Sequence, residues 1–302
     1  MKVVTTVVSG IANEVSHMKT RLLGDVFINR ILELEAPFAL PLEFFDEATP
    51  EAIEPHRHWL EPWAIDPVSG RMIMPVQSYL VQTRYHTILI DTCVGCHKTY
   101  DGVPEWKGLR DETWLHNLAF AGVELENIDY VFCTHLHVDH CGWNTRLVDG
   151  RWTPTFPNAK YIFSAAEYAA CEAGGTSVFD ENVLPVMETG QATLVDTDYA
   201  LDDEVWLTPS PGHTAGHVSV NVASQGRTAV MIGDLMHSPI QLAHPEWSPN
   251  FDIDPALSAE TRRHFLDSHC ETDTLILTAH FPSPSVGLVV PSVERTFGFE
   301  FL

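Results

Sequence analysis

The sequence predicts an α/β (α+β) fold, a mixed β-sheet system covered by helices. Two observations carry this. From Ser78 onward, β-rich runs and helical segments interleave along the chain. Several neighbouring β-rich runs also lie too close in sequence for the crossover that parallel strands require, which argues against a doubly wound parallel sheet. No internal repeat or low-complexity tract is visible, and the 302 residues are read as one domain, 1–302. Within it, residues 1–77 form an N-terminal extension packed on the rest, Pro-rich and irregular, with loops and short helices.

The elements follow in order. "SYLVQTRYHTILIDT" is two β-rich runs with a turn at Arg84 to His86, a hairpin entering a sheet. "DETWLHNLAFAG" places apolar residues at 114, 115, 118 and 121, between an acidic start at Asp111 and a stop at Gly122, and so predicts a helix. "NIDYVFCTH" is a short buried strand, and "YIFS" a strand leading into the helix "AAEYAACEAGG" with its Gly stop. "VWLTPSPGH", "HVSVNVAS" and "TAVMIGD" are three further strands. "DPALSAETRRHFLDSHC" is a helix with Asp254 as N-cap and Pro255 in its first turn, and "DTLILTAH" a last strand.

Charge and composition narrow the function. The chain carries 17 basic and 41 acidic residues, a formal charge of −24, which repels phosphate backbones and argues against a nucleic-acid partner. No stretch reaches the roughly 18 apolar residues of a membrane span. The N-terminal "MKVVTTVVSGIANEVSH" has one Lys and no small-residue cleavage site, so it is not read as a secretory signal. The expectation is a cytoplasmic protein whose six cysteines are reduced thiols.

The sixteen histidines are unevenly spread. "YVFCTH", "LTPSPGH", "VMIGD" and "LILTAH" each end in His or Asp, and side chains at strand ends sit on rigid supports. The first continues as "THLHVDHCGWN", with His135, His137, Asp139 and His140 within six residues. Alternate residues of an extended segment share a face, so His135 and His137 can bind one ion. A turn after Val138 would point Asp139 and His140 at a neighbouring ion. Imidazole and carboxylate are both good zinc ligands, and His213, Asp234 and His280 at the other strand ends supply the missing donors.

In this order and spacing, H-x-H-x-D-H, G-H-T-x-G-H, G-D and a terminal His resemble the metallo-β-lactamase superfamily over about residues 78–285. The resemblance implies an αββα sandwich of two mixed β-sheets flanked by helices, holding two divalent metal ions, Zn²⁺ by preference. It implies His135, His137 and His213 on the first ion, Asp139, His140 and His280 on the second, and Asp234 bridging them. His217 is read as hydrogen-bonding near the site rather than ligating. His56 and His58 are read as loop histidines.

Departures from each branch decide the rest. Asp234 holds the bridging position and no Cys falls at a matching strand end, so the Cys-ligated β-lactamases do not fit. Di-iron redox relatives have Glu where His137 stands. Nucleases share the ligand motif, but a basic surface is missing. Glyoxalase II has Gly-Gly where Cys141-Gly142-Trp143-Asn144 follows here. Acyl-homoserine-lactone lactonases carry a Tyr three residues beyond the bridging Asp. Here "GDLMHSPIQ" places His237 there, which is similar to the methyl parathion hydrolase branch.

That group implies a hydrolase in which a metal-bridging hydroxide attacks a lactone, ester or phosphotriester of a neutral or apolar small molecule. Asp139 would orient the nucleophile and take its proton. His237 would donate to the substrate carbonyl or leaving group. Trp143, Trp247, Phe251 and Phe281 are candidates for an apolar substrate pocket. A hydrolytic dehalogenase or thioester hydrolase on the same scaffold is the alternative, and a homodimer is the oligomer that the resemblance implies.

"CVGCH" at Cys93 to His97 matches the C-x-x-C-H of haem attachment. With no second C-x-x-C it cannot be a zinc ribbon. It is read as a chance pattern in a loop bordering the site, although the spacing is redox-capable.

Overall fold

Residues 20–100 and 103–302 are described by the computed structural model. The stretch read for a secretory signal lies outside them. Near the start, Gly24 takes φ +58°, and this tight turn folds β1 (Arg21–Leu23) onto β2 (Val26–Pro37). Three short helices follow: α1 (Pro41–Phe44), α2 (Pro50–Ile53) and α3 (Arg57–Leu60). Then come β3 (Ile73–Gln82), β4 (Thr87–Ile90), α4 (Thr113–Phe120), β5 (Tyr130–Phe132) and α5 (Val138–Cys141). The hairpin β6 (Thr145–Val148) and β7 (Arg151–Pro154) precedes β8 (Lys160–Ser164), α6 (Ala165–Gly174), α7 (Leu184–Glu188) and β9 (Ala192–Val195). The last third contains β10 (Val205–Pro209), β11 (Val218–Ser224), β12 (Arg227–Met231), α8 (Pro255–His269), β13 (Leu275–Leu277), β14 (Val286–Val290) and β15 (Gly298–Phe301).

The strands form two mixed sheets, ordered β1-β2-β3-β4-β5-β8-β9 and β10-β11-β12-β13-β14-β15. In the first, β1 to β4 are antiparallel and β4, β5, β8 and β9 run parallel. The second has a single parallel pair, β12 with β13. Both sheets are covered on both faces, and the two-residue period of a strand sorts the side chains between layers. Tyr79, Val81, Ile88, Ile90 and Phe132 face Val205, Val220, Met231 and Leu277 across the inter-sheet core. Their neighbours Leu80, Leu89 and Val131 point outward under Trp114 and Leu118 of α4. On the far side, Val230 and Ile276 point outward under Leu266 of α8. The result is helix, sheet, sheet, helix, as expected. Asp254 does cap α8, its side chain accepting from Leu257 N–H. Among the described residues no helix is long and apolar enough to cross a membrane.

One expectation needs correction. Loops and short helices do occupy the region around residues 38–72, packed through Phe44, Phe45, Leu60 and Met72 onto Ile240 and Trp247. Residues 21–37, however, are not an extension laid on the sheet: they are its first two strands. The signals were present in "RLLGDVFINRILELE", a Gly-Asp turn between apolar runs. A bulge between Leu32 and Leu34 breaks the alternation and hides the strand.

The bulged residue, Glu33, has a purpose. Its carboxylate accepts from Val94 N–H (2.7 Å), Gly95 N–H (3.3 Å) and the Trp143 indole N–H (2.7 Å). It thereby clamps the C-x-x-C-H loop against the segment after α5. Cys93 Sγ lies 3.2 Å from Ser78 Oγ, Cys96 Sγ donates to Asp111 O at 2.8 Å, and both cysteines are free thiols. The loop is held by backbone pairing: Gly142 N–H donates to Cys93 O (2.7 Å) and Trp143 N–H to Thr92 O (2.8 Å). A Cβ on Gly142 would fall 1.9 Å from Val94 O. Gly142→Ala is therefore expected to destabilise the fold by about 3 kcal/mol, the upper end for overpacking because the clash is with backbone. Urea denaturation would read this as a lower midpoint at unchanged slope.

Candidate metal centre

Beyond β5 the chain bends at Thr134 and His135, His137 is itself extended (φ −76°, ψ 164°), and α5 then begins at Val138. The bend keeps His135 and His137 together, their ring centroids 4.6 Å apart, and the helical turn places Asp139 and His140 in a second group. The loop after β10 brings His213, the turn after β12 brings Asp234, and the chain after β13 brings His280. All seven side chains meet where the two sheets' strand ends converge. His135, His137, His213 and Asp234 form one group with metal-binding geometry, and Asp139, His140 and His280 form another.

Asp234 lies between the groups. Its Oδ2 is 3.4 Å from His135 Nε2 and 3.2 Å from His213 Nε2. Its Oδ1 is 2.9 Å from both His140 Nε2 and His280 Nε2. His213 Nε2 also lies 3.2 Å from His135 Nε2 and 2.9 Å from His137 Nδ1. Asp139 Oδ2 sits farther out, 3.7 Å from His140 Nε2 and 3.6 Å from His280 Nε2.

Around His213 these contacts cannot all be hydrogen bonds, because one ring proton cannot serve three partners. They do fit the edges of a coordination shell: zinc bonds of about 2.0–2.1 Å place tetrahedral donors about 3.3 Å apart. The outer nitrogens support this. His213 Nδ1 is 2.7 Å from Asp252 Oδ1, His140 Nδ1 is 2.8 Å from Asp91 Oδ2, and His280 Nδ1 is 2.9 Å from Pro75 O. Each acceptor takes the Nδ1 proton, which leaves the Nε2 lone pair pointing inward. The donor set therefore fits divalent metal.

Electrostatics agree. Burial lowers His135, and burial plus the His213 ring lowers His137 to about 3. Burial also opposes charge on His213, yet Asp234 and Asp252 outweigh it and lift the group to about 9. Around His140 and His280, Asp234 likewise outweighs burial and raises both. Without metal the second group holds protons against Asp234, so metal and proton compete for the same atoms.

His217 is not among the grouped donors. Its Nε2 accepts from Asp234 N–H (3.0 Å) and its Nδ1 lies 2.8 Å from Ser210 Oγ, so both nitrogens are occupied. His237 Nε2 is 3.1 Å from Asp234 Oδ2, and its ring stacks on His280 with centroids 5.4 Å apart. His56 Nε2 meets His244 Nε2 at 3.2 Å, away from the centre.

A cavity of about 710 Å³ opens on the cluster, its walls mainly apolar and including Leu34, Phe38, Met74, Val76, Trp106 and Phe251, with Asp139, Glu167 and His237 in the wall as well. Among the described residues, neither Lys nor Arg lines it. Of the four aromatic pocket candidates, only Phe251 is in this wall. The other three are core: Trp143 stacks on Trp114, Trp247 packs with Phe45, and Phe281 packs against Phe299. Nearness in sequence to a ligand or to His237 nominated them, but their side chains turn into the core and not the cavity.

Sequence reading also passed over Asp91, Asp252 and Glu167. "ILID" carried the signal for Asp91, being another β-rich run that ends in an acid. Asp252 lies in an irregular loop and had none.

Comparisons with known proteins point the same way. A family model described as the metallo-beta-lactamase superfamily matches residues 72–280. An N-acyl homoserine lactonase from Bacillus sp is 27% identical over 209 residues, covering 63% of this chain and 75% of the relative. Among solved structures, the hydrolase AbOPH superposes with a TM-score of 0.78 at 23% identity, over 95% of this chain and 97% of that one. AidC, a dizinc quorum-quenching lactonase in complex with a homoserine product, gives 0.75 at 20% identity, over 94% and 97%.

Asp252→Ala would free the His213 ring to take the wrong tautomer. It is expected to weaken metal binding by about 10- to 100-fold, read by chelator competition, with Asn at the same position costing less.

Proposed function

The chain belongs to the metallo-beta-lactamase superfamily, and from that premise we propose that it is a metal-dependent, lactonase-like hydrolase of neutral, apolar esters, with acyl lactones foremost. The observation that carries this reading is Asp234, whose two oxygens face two separate groups of imidazoles at the floor of an apolar cavity. His135, His137 and His213 would hold one ion, Asp139, His140 and His280 a second, and Asp234 would bridge. Imidazole and carboxylate donors at these separations suit zinc. When bound, such a pair supplies Lewis acidity, which polarises a substrate carbonyl and lowers the pKa of water.

The chain's own groups do the rest. Asp139 lines the cavity beside both His140 and His280, where its carboxylate can orient the attacking water and take its proton. His237 lines the cavity with Nε2 3.1 Å from Asp234 Oδ2, and once that carboxylate is engaged by metal the Nε2–H would be released to a substrate oxygen. The apolar wall excludes bulk water, which strengthens every charge interaction inside. It also selects the substrate. A wall without Lys or Arg among the described residues does not repay the desolvation of a phosphate or glutathione carboxylate, which disfavours the nuclease and glutathione-thioester readings. An N-acyl homoserine lactone, the substrate class named for the Bacillus relative, is neutral and has an apolar tail that fits this wall.

The test is hydrolysis of a panel of acyl lactones, aryl esters and phosphotriesters by zinc-loaded protein, alongside elemental analysis. Turnover is expected on lactones and aryl esters, weaker turnover on phosphotriesters, and two metals per chain. Inactivity across the whole panel would end the proposal. Asp139→Asn is expected to lower kcat by about 10²- to 10⁴-fold, measured with metal content held equal.

A further inference from the structure

Glu167 is a buried carboxylate that the mechanism above does not use. It sits in the first turn of α6, where the helix dipole favours negative charge. It does not fold back on its own helix end. Its Oε1 accepts from Leu136 N–H at 3.1 Å, and its Oε2 accepts from Gly216 N–H at 3.0 Å. Leu136 lies between His135 and His137, and Gly216 lies three residues past His213. One carboxylate therefore joins the two loops that carry the whole imidazole set of the first donor group.

The geometry of those loops shows why a brace is needed there. Their last direct backbone bond is Val218 N–H to Thr134 O, at 2.9 Å. Leu136 and Gly216 are each two residues farther out. Beyond Val218 and Thr134 the backbones of the two loops are tied through Glu167, which caps two backbone donors that the fold would otherwise leave in a buried wall. The contact is close: a Cβ on Gly216 would fall 2.3 Å from Glu167 N and 2.8 Å from its Cα. Gly216 thus permits the approach and Glu167 uses it.

We propose that Glu167 is a positioning residue that sets the spacing of His135 and His137 against His213, and so sets the affinity of the first donor group for its metal. The inference rests on the metal-centre reading above. Charge-assisted bonds from a carboxylate to backbone N–H are the strong kind. A ligand displaced by a fraction of an ångström costs affinity in the way lost outer hydrogen bonds do.

Glu167→Gln is the discriminating substitution. It keeps shape and one acceptor but turns an NH₂ toward the other backbone N–H, leaving that donor unpaired. Zinc affinity of the full-length protein is measured by chelator competition, together with the absorption spectrum of the cobalt-loaded form and the thermal midpoint of the metal-free form. Expected are a loss of about 10-fold or more in affinity of one of the two ions, an altered cobalt spectrum, and a metal-free midpoint lowered only by the few degrees that one unpaired buried donor costs. Gly216→Ala pushes on the same contact from the opposite side and is expected to reproduce the affinity loss. Parent-like affinity and spectrum in a folded Glu167→Gln would overturn the brace. An unmodified protein that binds no zinc would instead overturn the metal centre itself, so the two failures are distinguishable.

Discussion

The carboxylate of Asp234 is the constraint around which this molecule is organised. It is buried at the junction of two sheets, in contact with imidazoles from the loops after β5, β10 and β13. Burying an ion there is costly unless opposite charge or strong donors surround it. The fold provides that surrounding from beyond three separate strand ends and Asp234 from beyond a fourth, so the register of both sheets bears on one atom group. Gly233 shows how tight this is: at φ +50°, a Cβ on it would fall 2.6 Å from His217 Nε2 and 2.7 Å from Thr134 Oγ1. Only glycine lets the strand end bring Asp234 so close.

Around this centre the outer contacts come from every layer. Asp91 at the end of β4 binds His140 and also accepts from Thr134 N–H at 2.7 Å. Asp252, from the loop before α8, binds His213, and Pro75 O on β3 binds His280. Backbone bonds from Ile253 and Asp254 to His213 and Gly212 lace the Asp252 loop to the ligand loop. The same short stretch has Phe251 and Ile253 in the cavity wall. A single segment thus orients a ligand with one residue and meets the substrate space with its neighbours.

The cavity and the surface are differently charged environments. The surface carries most of an acidic excess of 24, which favours solubility, while the cavity wall is apolar and without Lys or Arg among the described residues. Acidity of the whole chain therefore says little about what the cavity takes. Under the proposed function it is the wall that would select, and its residues come from β2, β3, α6, the segment between β5 and α5, the loops near Tyr100 and Thr176, and the segment after β12, among others.

How much of this was legible in the sequence follows from the range of the interactions. The H-x-H-x-D-H run, the donors His213, Asp234 and His280 that follow β-rich runs, and the interleaving of β-rich runs with helical segments are local patterns. They suffice for the mixed-sheet class and for the seven side chains that the structure brings together, while the two-sheet layering was expected from the family resemblance. Strand β2 escaped because a bulge at Glu33 interrupts the alternation, and that bulge exists to reach a loop some sixty residues away. Trp143, Trp247 and Phe281 were misplaced in the pocket, and Asp252 and Glu167 passed over, for the same reason. Which face of a strand end meets the cavity, and which carboxylate meets which ring, depends on contacts across tens to hundreds of residues. The sequence alone determined which donors exist and that they would follow closely on strands. Tertiary packing decided their spacing and their outer partners, because distances of about 3 Å between separate loops are set only when both sheets close on a common core.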